Sequence, residues 1–152
     1  SFPTRRSSDL GPGNPQDSQK AIVEIKKLIE AEIPMMGICL GHQLIALAVG
    51  GNTEKLKYGH RGANHPVREI EQDRVYITSQ NHGFVVIEDS LPKDICEVSH
   101  VNVNDGTVEG LRLINKPVFT VQYHPEGAPG PQDNNYLFDR FIEMIETAKR
   151  RG

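Results

Sequence analysis

Several residue types and patterns are scarce in this chain of 152 residues, and each absence excludes a class of protein. The chain has two cysteines and no tryptophan, and aromatic residues make up 6% of it. Two cysteines are too few for a disulfide scaffold and are typical of a reducing compartment. No apolar run approaches the roughly 18 residues that a membrane-spanning helix needs. No basic segment precedes an apolar one, so the pattern of a secretory signal is missing.

A dominant block of basic residues is also missing. The chain has 17 Lys+Arg and 20 Asp+Glu, which gives a formal net charge of −3. This balance argues against nucleic acid or an anionic membrane as a partner. The length fits one domain with its own hydrophobic core. We therefore expect a globular domain located in the cytoplasm, with no nucleic-acid and no membrane partner.

The first ten residues, SFPTRRSSDL, differ in character from the rest of the chain. They show neither a helical nor a strand period. We expect residues 1–10 to be a non-native or disordered extension. Sequence typical of a functional site begins abruptly at Gly11, so we expect residues 11–152 to be part of a domain whose first elements are missing here.

The hydrophobic periodicity predicts an α/β fold. Apolar residues at 3–4 spacing predict helices at about 17–31, 40–49 and 134–149. Residues 34–39 are apolar without alternation, which is typical of a strand buried on both faces of a parallel sheet. The order helix, buried strand, helix predicts an open, mostly parallel sheet with helices on both faces.

The middle of the chain predicts an added β-rich segment. Short strand candidates are separated by turn residues and a Gly-rich loop at 59–66. These candidates lie at 53–57, 67–70, 75–78, 84–87, 95–101 and 108–113. A more apolar strand at 118–123 comes next and ends at His124.

The sequence Gly37-Ile38-Cys39-Leu40-Gly41 lies between the predicted buried strand and the next helix. This is the setting of a nucleophile elbow with cysteine as the nucleophile. Glycines two residues to either side allow a sharp turn and leave the thiol uncovered. The helix directs its positive end at the sulfur, which favours thiolate, and the N–H of Leu40 is placed to bind an oxyanion. The alternative is an inert buried cysteine.

A nucleophilic cysteine needs a base and a group that orients the base. His124 ends an apolar strand, where sites of open α/β sheets lie, and Glu126 is close enough in sequence to hold its imidazole. His42 follows Cys39 in the helix, so we expect a structural or supporting role for it. Cys96 lies in a strand pattern, and we expect it to be inert.

Three segments together resemble the class I (triad-type) glutamine amidotransferases, which have a flavodoxin-like fold. They are Gly11-Pro-Gly-Asn-Pro, Gly37-Ile-Cys-Leu-Gly-His-Gln and His124-Pro-Glu. Residues 58–67, 79–84, 126–131 and 137–139 are similar to the small, glutamine-hydrolysing subunits of carbamoyl-phosphate synthase. On this resemblance, residues 11–152 are a partial glutamine amidotransferase domain.

The resemblance implies a role for each matching position. Cys39 would attack the side-chain amide of glutamine, His124 would be the base, and Glu126 would orient it. The N–H groups of Leu40 and Gly13 would form the oxyanion hole. The glutamine-binding positions would be Gly11, Gly13, Leu40, Gln43, Asn81, Gly83 and Phe84.

The resemblance also implies the partners. L-glutamine would be the substrate, and the ammonia would pass to a large subunit that uses bicarbonate and ATP, in arginine and pyrimidine biosynthesis. No cofactor is expected in this chain, since ATP and metal would belong to the large subunit. Two alternatives stay open: an amidotransferase of anthranilate or GMP synthesis, and an inactive, truncated partner-binding module.

The remaining histidines do not form a known metal motif. His60 and His65 lie in the Gly-rich loop, with His82 and His100 further along the chain. No H-E-x-x-H or C-x-x-C spacing accompanies them. We therefore expect no metal site.

Overall fold

A computed structural model describes residues 18–124 and 135–151. Within these ranges the chain forms three α-helices, six strands and one short 3₁₀ helix. In chain order they are α1 (Gln19–Glu30), β1 (Met35–Ile38), α2 (Leu40–Ala48), β2 (Thr53–Glu69), β3 (Arg74–Val86), the 3₁₀ helix (Glu88–Ser90), β4 (Cys96–Asn102), β5 (Val108–Leu113), β6 (Val118–Val121) and α3 (Asn135–Arg151).

The six strands form one open sheet in the order β1-β6-β5-β4-β2-β3. β1 and β6 are parallel, with Met35 opposite Val118 and Ile38 opposite Val121. The other four neighbouring pairs are antiparallel. The carboxyl ends of β1 and β6 therefore lie side by side.

Helices cover both faces of this sheet. On one face, α1 and α2 pack in a cluster that includes Ile25, Met35 and Ile45. On the other face, Leu137 of α3 packs with Met36 and neighbouring residues. Consecutive residues of β1 thus point into different clusters, which confirms that this strand is buried on both faces.

The α/β class, the open sheet, the flanking helices and the added β-rich segment are confirmed. The expectation of a mostly parallel sheet is wrong for the strands that the structure describes, where one pair is parallel and four are antiparallel. The reason is that the β-rich segment joins the same sheet. β5 pairs with the free edge of β6, and β4, β2 and β3 continue from there.

The predicted strand lengths in the middle of the chain are also wrong. The candidates at 53–57 and 67–70 are the two ends of β2, and those at 75–78 and 84–87 belong to or adjoin β3. The predicted loop at 59–66 is the middle of β2, paired with β3 through His60 opposite His82. Register shifts flank this pair, and Gly59 and Gly62 have φ of 71° and 101°. The glycines serve as bulges in a strand, so the sequence pattern resembles a loop.

None of the helices within the described residues is long and apolar enough to cross a membrane. The expectations for residues 1–10, Gly11, Gly13 and Glu126 lie outside the described ranges.

Candidate active site

Cys39 occupies a strained turn between β1 and α2. It is the residue just before α2, with φ 54° and ψ −109°. A positive φ is uncommon for a residue with a side chain and indicates a local constraint. The N–H of Cys39 donates to the carbonyl of Val121 at 3.0 Å, and its carbonyl accepts the N–H of Gln43 at 3.2 Å. The backbone on both sides therefore holds the turn in place.

Gly37 allows this turn to pack closely. A Cβ on Gly37 would lie 2.8 Å from Cδ1 of Ile45 and 3.0 Å from the backbone carbon and oxygen of Gly41. The predicted pair of glycines is thus explained by close approach between the strand and the first turn of the helix. Cys39 itself stays half-buried.

One amide side chain contacts the sulfur, and a second amide side chain holds the first. Nε2 of Gln122 donates to Sγ of Cys39 at 3.7 Å. Oε1 of Gln122 accepts from Nε2 of Gln43 at 2.9 Å, and the same nitrogen donates to the carbonyl of Phe84 at 3.0 Å. The structure therefore brings Gln43 and Phe84, two of the predicted binding positions, into one network with Cys39.

Leu40 is the first residue of α2, and its N–H lies in the helix turn whose donors have no partner within the helix. The positive end of the helix dipole lies at the same place as Cys39. The location of this N–H is compatible with its predicted part in an oxyanion hole.

His124 lies three residues beyond β6, whose last residue pairs with Ile38 of β1. Its N–H donates to the carbonyl of Ser79 on β3 at 3.2 Å, and the residue is half-buried. Cys39 and His124 therefore both follow the carboxyl ends of adjacent parallel strands, where open α/β sheets place their sites.

Asn81 and Gly83 lie on β3 between Ser79, which accepts from His124, and Phe84, which accepts from Gln43. Oδ1 of Asn81 accepts from Nη1 of Arg61 at 3.2 Å. A Cβ on Gly83 would lie 3.8 Å from Nη2 of the same arginine. Both predicted positions thus face the Arg61 guanidinium on β2, and Phe84 follows them in the strand.

His42 is fully buried in α2. Its Nδ1 forms a hydrogen bond of 2.6 Å with Oγ1 of Thr120, which also accepts the N–H of Leu111 at 3.0 Å. Burial, and to a lesser extent His82 and His100, lowers the pKa of His42 to about 3. A neutral, enclosed imidazole bound to the neighbouring strand agrees with the predicted structural role.

Cys96 lies in a more enclosed environment than Cys39. It is buried, and its thiol donates towards the carbonyl of Pro92 at 3.7 Å. Burial raises the pKa of the Cys96 thiol, and the nearby Asp94 adds to this. Since the thiolate is the nucleophile, this environment supports the prediction that Cys96 is inert.

Sequence reasoning missed Gln122. It lies in the apolar segment before His124 and shows no motif, yet it is fully buried beside the sulfur. The pairing of β6 with β1 would have been the necessary signal, because it places Gln122 just beyond the residue opposite Ile38.

A second polar cluster lies in the antiparallel part of the sheet. We call His60, Gln80, His82 and Glu109 the histidine cluster. All four are buried, on β2, β3 and β5. Burial lowers the pKa of His82 to about 4 and raises the pKa of Glu109. The two His residues and Glu109 converge closely enough to hold a metal ion, which the sequence did not predict.

Comparison with known proteins identifies the family of this chain. Residues 10–144 match the glutamine amidotransferase class-I family, and the chain belongs to that family. Within it, the chain is 57% identical over 142 residues to the carbamoyl phosphate synthase pyrimidine-specific small chain of Bacillus subtilis. It is 54% identical over 142 residues to the carbamoyl phosphate synthase small chain of Bacillus caldolyticus.

These matches cover 93% of this chain but 38% and 39% of the two relatives, so the chain spans well under half their length. Solved structures show the same fold. A putative GMP synthase protein from Thermoplasma acidophilum matches 92% of this chain and 71% of its own, with a TM-score of 0.77 and 24% identity. A glutamine amidotransferase from Thermotoga maritima matches 93% and 61%, with a TM-score of 0.64 and 19% identity.

Proposed function

We propose that this chain carries the glutamine-hydrolysing site of a carbamoyl-phosphate synthase small subunit. The observation that supports this most directly is the geometry of Cys39. A half-buried thiol lies at a strained strand-to-helix turn, beside the first N–H groups of α2 and at the same sheet edge as His124. A buried structural cysteine such as Cys96 requires none of these features.

The reaction is the hydrolysis of L-glutamine to glutamate and ammonia. Cys39 attacks the side-chain amide carbon, and the N–H groups of Leu40 and Gly13 stabilise the oxyanion that forms. His124 accepts the thiol proton and donates it to the leaving ammonia, while Glu126 holds the imidazole. Water then attacks the thioester and releases glutamate, with His124 again acting as the base.

Glutamine carries both charges of an amino acid and a neutral amide, so short polar contacts are sufficient to recognise it. Gln43 and Phe84 already share a network with the sulfur. Asn81 and Gly83 lie on the same strand as Phe84, and Gly11 completes the predicted set.

The ammonia is used by a large subunit that makes carbamoyl phosphate from bicarbonate and ATP. Support comes from the 54–57% identity to small chains of carbamoyl phosphate synthase. One of these relatives is named pyrimidine-specific, which supports a role in pyrimidine biosynthesis. The role in arginine biosynthesis is proposed on the family resemblance alone. The large subunit binds the ATP and metal for that synthesis. Both subunits act in the cytoplasm. The neighbour named for GMP synthesis is 24% identical and supports the fold alone.

The test is covalent labelling with a diazo-ketone analogue of glutamine, read by mass spectrometry of the intact chain and its peptides. We expect one label, on Cys39, and protection by glutamine. Cys96→Ser is the matched control and should be labelled like the wild type. Cys39→Ser should not be labelled and should lose glutamate release by at least about 10³-fold.

Labelling of Cys96 at the same rate, or a label that survives Cys39→Ser, would overturn the nucleophile assignment. A chain that binds a large subunit but takes no label on Cys39 would instead support the inactive partner-binding alternative.

A further inference from the structure

The histidine cluster lies outside the Cys39 site and has a geometry that the proposed glutaminase does not use. His60 comes from β2, Gln80 and His82 from β3, and Glu109 from β5. Their exposed fractions are 7%, 2%, 5% and 0%. Polar groups this deeply buried are expected to have complementary partners, so the arrangement of donors and acceptors among them is informative.

Three donor atoms of the cluster converge, and the Gln80 side-chain oxygen lies beside one of them. Nδ1 of His60 lies 3.2 Å from Nε2 of His82 and 3.6 Å from Oε2 of Glu109. Nε2 of His82 lies 2.8 Å from Oε1 of Gln80. The donor atoms of His60, His82 and Glu109 all lie within 4.8 Å of one another.

The outer nitrogen of each imidazole faces an acceptor. Nε2 of His60 lies 2.7 Å from Oδ2 of Asp105, so this nitrogen carries the proton. Nδ1 of His82 lies 2.8 Å from the carbonyl of Phe84, so this nitrogen carries the proton there. When both imidazoles are neutral, Nδ1 of His60 and Nε2 of His82 therefore carry no proton, and their lone pairs face each other.

Hydrogen bonds also orient the side-chain oxygens of Gln80 and Glu109. Nε2 of Gln80 donates to Oγ1 of Thr78 and to Oε2 of Glu109, both at 3.0 Å, which turns Oε1 of Gln80 towards His82. Nδ2 of Asn102 also donates to Oε2 of Glu109 at 3.0 Å. Oε1 of Glu109 has no hydrogen-bond partner among the described residues. Two nitrogens and a carboxylate thus converge, with the Gln80 oxygen beside one nitrogen and no hydrogen between the two nitrogens.

We propose that the histidine cluster binds one divalent transition-metal ion, with Zn²⁺ as the best match. The ligands are Nδ1 of His60, Nε2 of His82, a carboxylate oxygen of Glu109 and Oε1 of Gln80. Donors about 2.0–2.1 Å from a tetrahedral zinc ion lie about 3.3 Å apart. Of the six separations among the four ligand atoms, three are 2.8, 3.2 and 3.6 Å, and the atoms of His60, His82 and Glu109 all lie within 4.8 Å of one another.

The donor set selects this class of ion. Two imidazoles suit Zn²⁺ and neighbouring transition metals, whereas Ca²⁺ and Mg²⁺ prefer six or more oxygens. The partners of the outer nitrogens, Asp105 and the Phe84 carbonyl, are those that orient histidine ligands in metal sites. The carboxylates of Glu109 and Asp105 balance the two positive charges of the ion.

The role of this ion is to hold three strands together where pairing is irregular. The register of β2 against β3 shifts on both sides of His60. An ion bound to His60, His82 and Glu109 fixes β2, β3 and β5 at that point. The proposal stands independently of the chemistry at Cys39.

The test uses the purified chain, stripped with a chelator and then titrated with ZnCl₂ or CoCl₂. We expect one Zn²⁺ per chain by elemental analysis, and a rise in the thermal unfolding midpoint that grows with free Zn²⁺. Co²⁺ should give the visible absorption of a tetrahedral site without the near-ultraviolet band of a thiolate ligand. The same result is expected in Cys39→Ser, which excludes the Cys39 thiol as the ligand.

Three variants distinguish ligands from neighbours. His60→Gln and the nearly isosteric Glu109→Gln should each weaken Zn²⁺ binding by at least about tenfold, and Asp105→Asn by about tenfold. His65→Gln is the matched control, since His65 lies on the same strand with Nε2 2.5 Å from the Arg61 carbonyl. It should bind Zn²⁺ like the wild type. Circular dichroism of each variant establishes that it is folded.

The absence of Zn²⁺ and Co²⁺ binding by the folded wild type would overturn the proposal, and would mean that only an extra proton occupies the cluster. Binding that persists in both His60→Gln and Glu109→Gln would also overturn it. So would binding that disappears in Cys39→Ser or in His65→Gln.

Discussion

Two polar regions of this sheet are built in different ways. The elbow, residues 37–43, is formed by consecutive residues whose backbone turns sharply at Cys39. The histidine cluster is formed by side chains from three strands that meet across the sheet. In the elbow, glycine and a strained φ determine the geometry. In the histidine cluster, strand register determines it, since His60 meets His82 because they are opposite each other.

Gln122 joins the two regions. Its N–H donates to the carbonyl of Glu109 at 2.7 Å, while its side chain contacts Cys39 and Gln43. A region specified by local sequence thus depends on one specified by long-range pairing. Substitutions in each region show how far this dependence extends.

The largest effect on stability is expected beside the histidine cluster, at Gly110. A Cβ there would lie 2.6 Å from Nδ1 of His100, 2.7 Å from the carbonyl oxygen of Thr120 and 2.9 Å from Oγ of Ser99. Because one of these atoms is backbone, the sheet itself must shift. We expect Gly110→Ala to lower the free energy of unfolding by about 3 kcal/mol, measured by urea denaturation.

The control for Gly110 is Gly106, in the turn between β4 and β5. It has φ 73°, and a Cβ there would meet nothing within 4 Å, so Gly106→Ala should lose only about 1 kcal/mol through backbone strain. Equal losses for the two variants would show that close approach in β5 does not limit stability.

In the elbow, Gly37→Ala should lower the free energy of unfolding by about 2 kcal/mol. The added Cβ meets both the flexible end of Ile45 and the backbone of Gly41. Ile45→Val removes the side-chain contact and should restore only part of the loss in the double variant. Full recovery of the free energy of unfolding would mean that the backbone of Gly41 shifts at little cost. Gly37 would then be needed only to make room for the Ile45 side chain.

The elbow was predictable from sequence because the residues that form its turn are consecutive. Glycine spacing, the apolar run of β1 and the helix after Cys39 are all visible in one continuous stretch, residues 35–48. The predicted helices agree with the structure to within about two residues at each end. Burial of β1 on both faces was also predictable, because Met35 and Met36 are apolar without alternation.

The histidine cluster and Gln122 were not predictable in this way. His60, His82 and Glu109 are separated by 22 and 27 residues, and only the pairing of β2 with β3 and the sheet order bring them together. Gly59 and Gly62 resemble loop residues in sequence but form bulges within β2. Register depends on the packing of the whole sheet, which no short motif encodes.

Two buried histidines, His42 in the elbow and His100 on β4, make a pH-dependent contribution to stability. The pKa values of His42 and His100 are lowered from 6.5 to about 3 by burial. Below pH 6.5 these two histidines bind protons in the unfolded chain but remain neutral in the native chain. Their contribution to the free energy of unfolding is therefore fully present above pH 6.5 and is lost as the pH falls towards 3. Each histidine contributes a slope of up to about 1.4 kcal/mol per pH unit.

His42→Gln should therefore flatten the dependence of unfolding free energy on pH between 6.5 and 4, measured by urea denaturation at several pH values. Thr120→Val is the matched control, because it breaks the hydrogen bond to His42 at 2.6 Å but leaves the imidazole in place. It should lower stability by a similar amount at every pH. An unchanged slope in His42→Gln would show that His42 binds its proton as readily in the native chain as in the unfolded chain.

The smallest effect is expected where the two regions meet. Gln122→Met keeps the volume of the side chain but removes the N–H that donates to Sγ of Cys39 and the oxygen that accepts from Gln43. An N–H donor stabilises thiolate over thiol, and the thiolate is the reactive form. The contact is long, at 3.7 Å, so its contribution is small. We expect alkylation of Cys39 by iodoacetamide, in a Cys96→Ser background, to slow by about threefold near neutral pH.

Gln122→Glu adds a negative charge at the same place and should slow it further. If Gln122→Met leaves the rate unchanged while Gln122→Glu slows it, the sulfur responds to charge but not to the amide donor. Gln122 would then connect the elbow and the histidine cluster through its backbone alone.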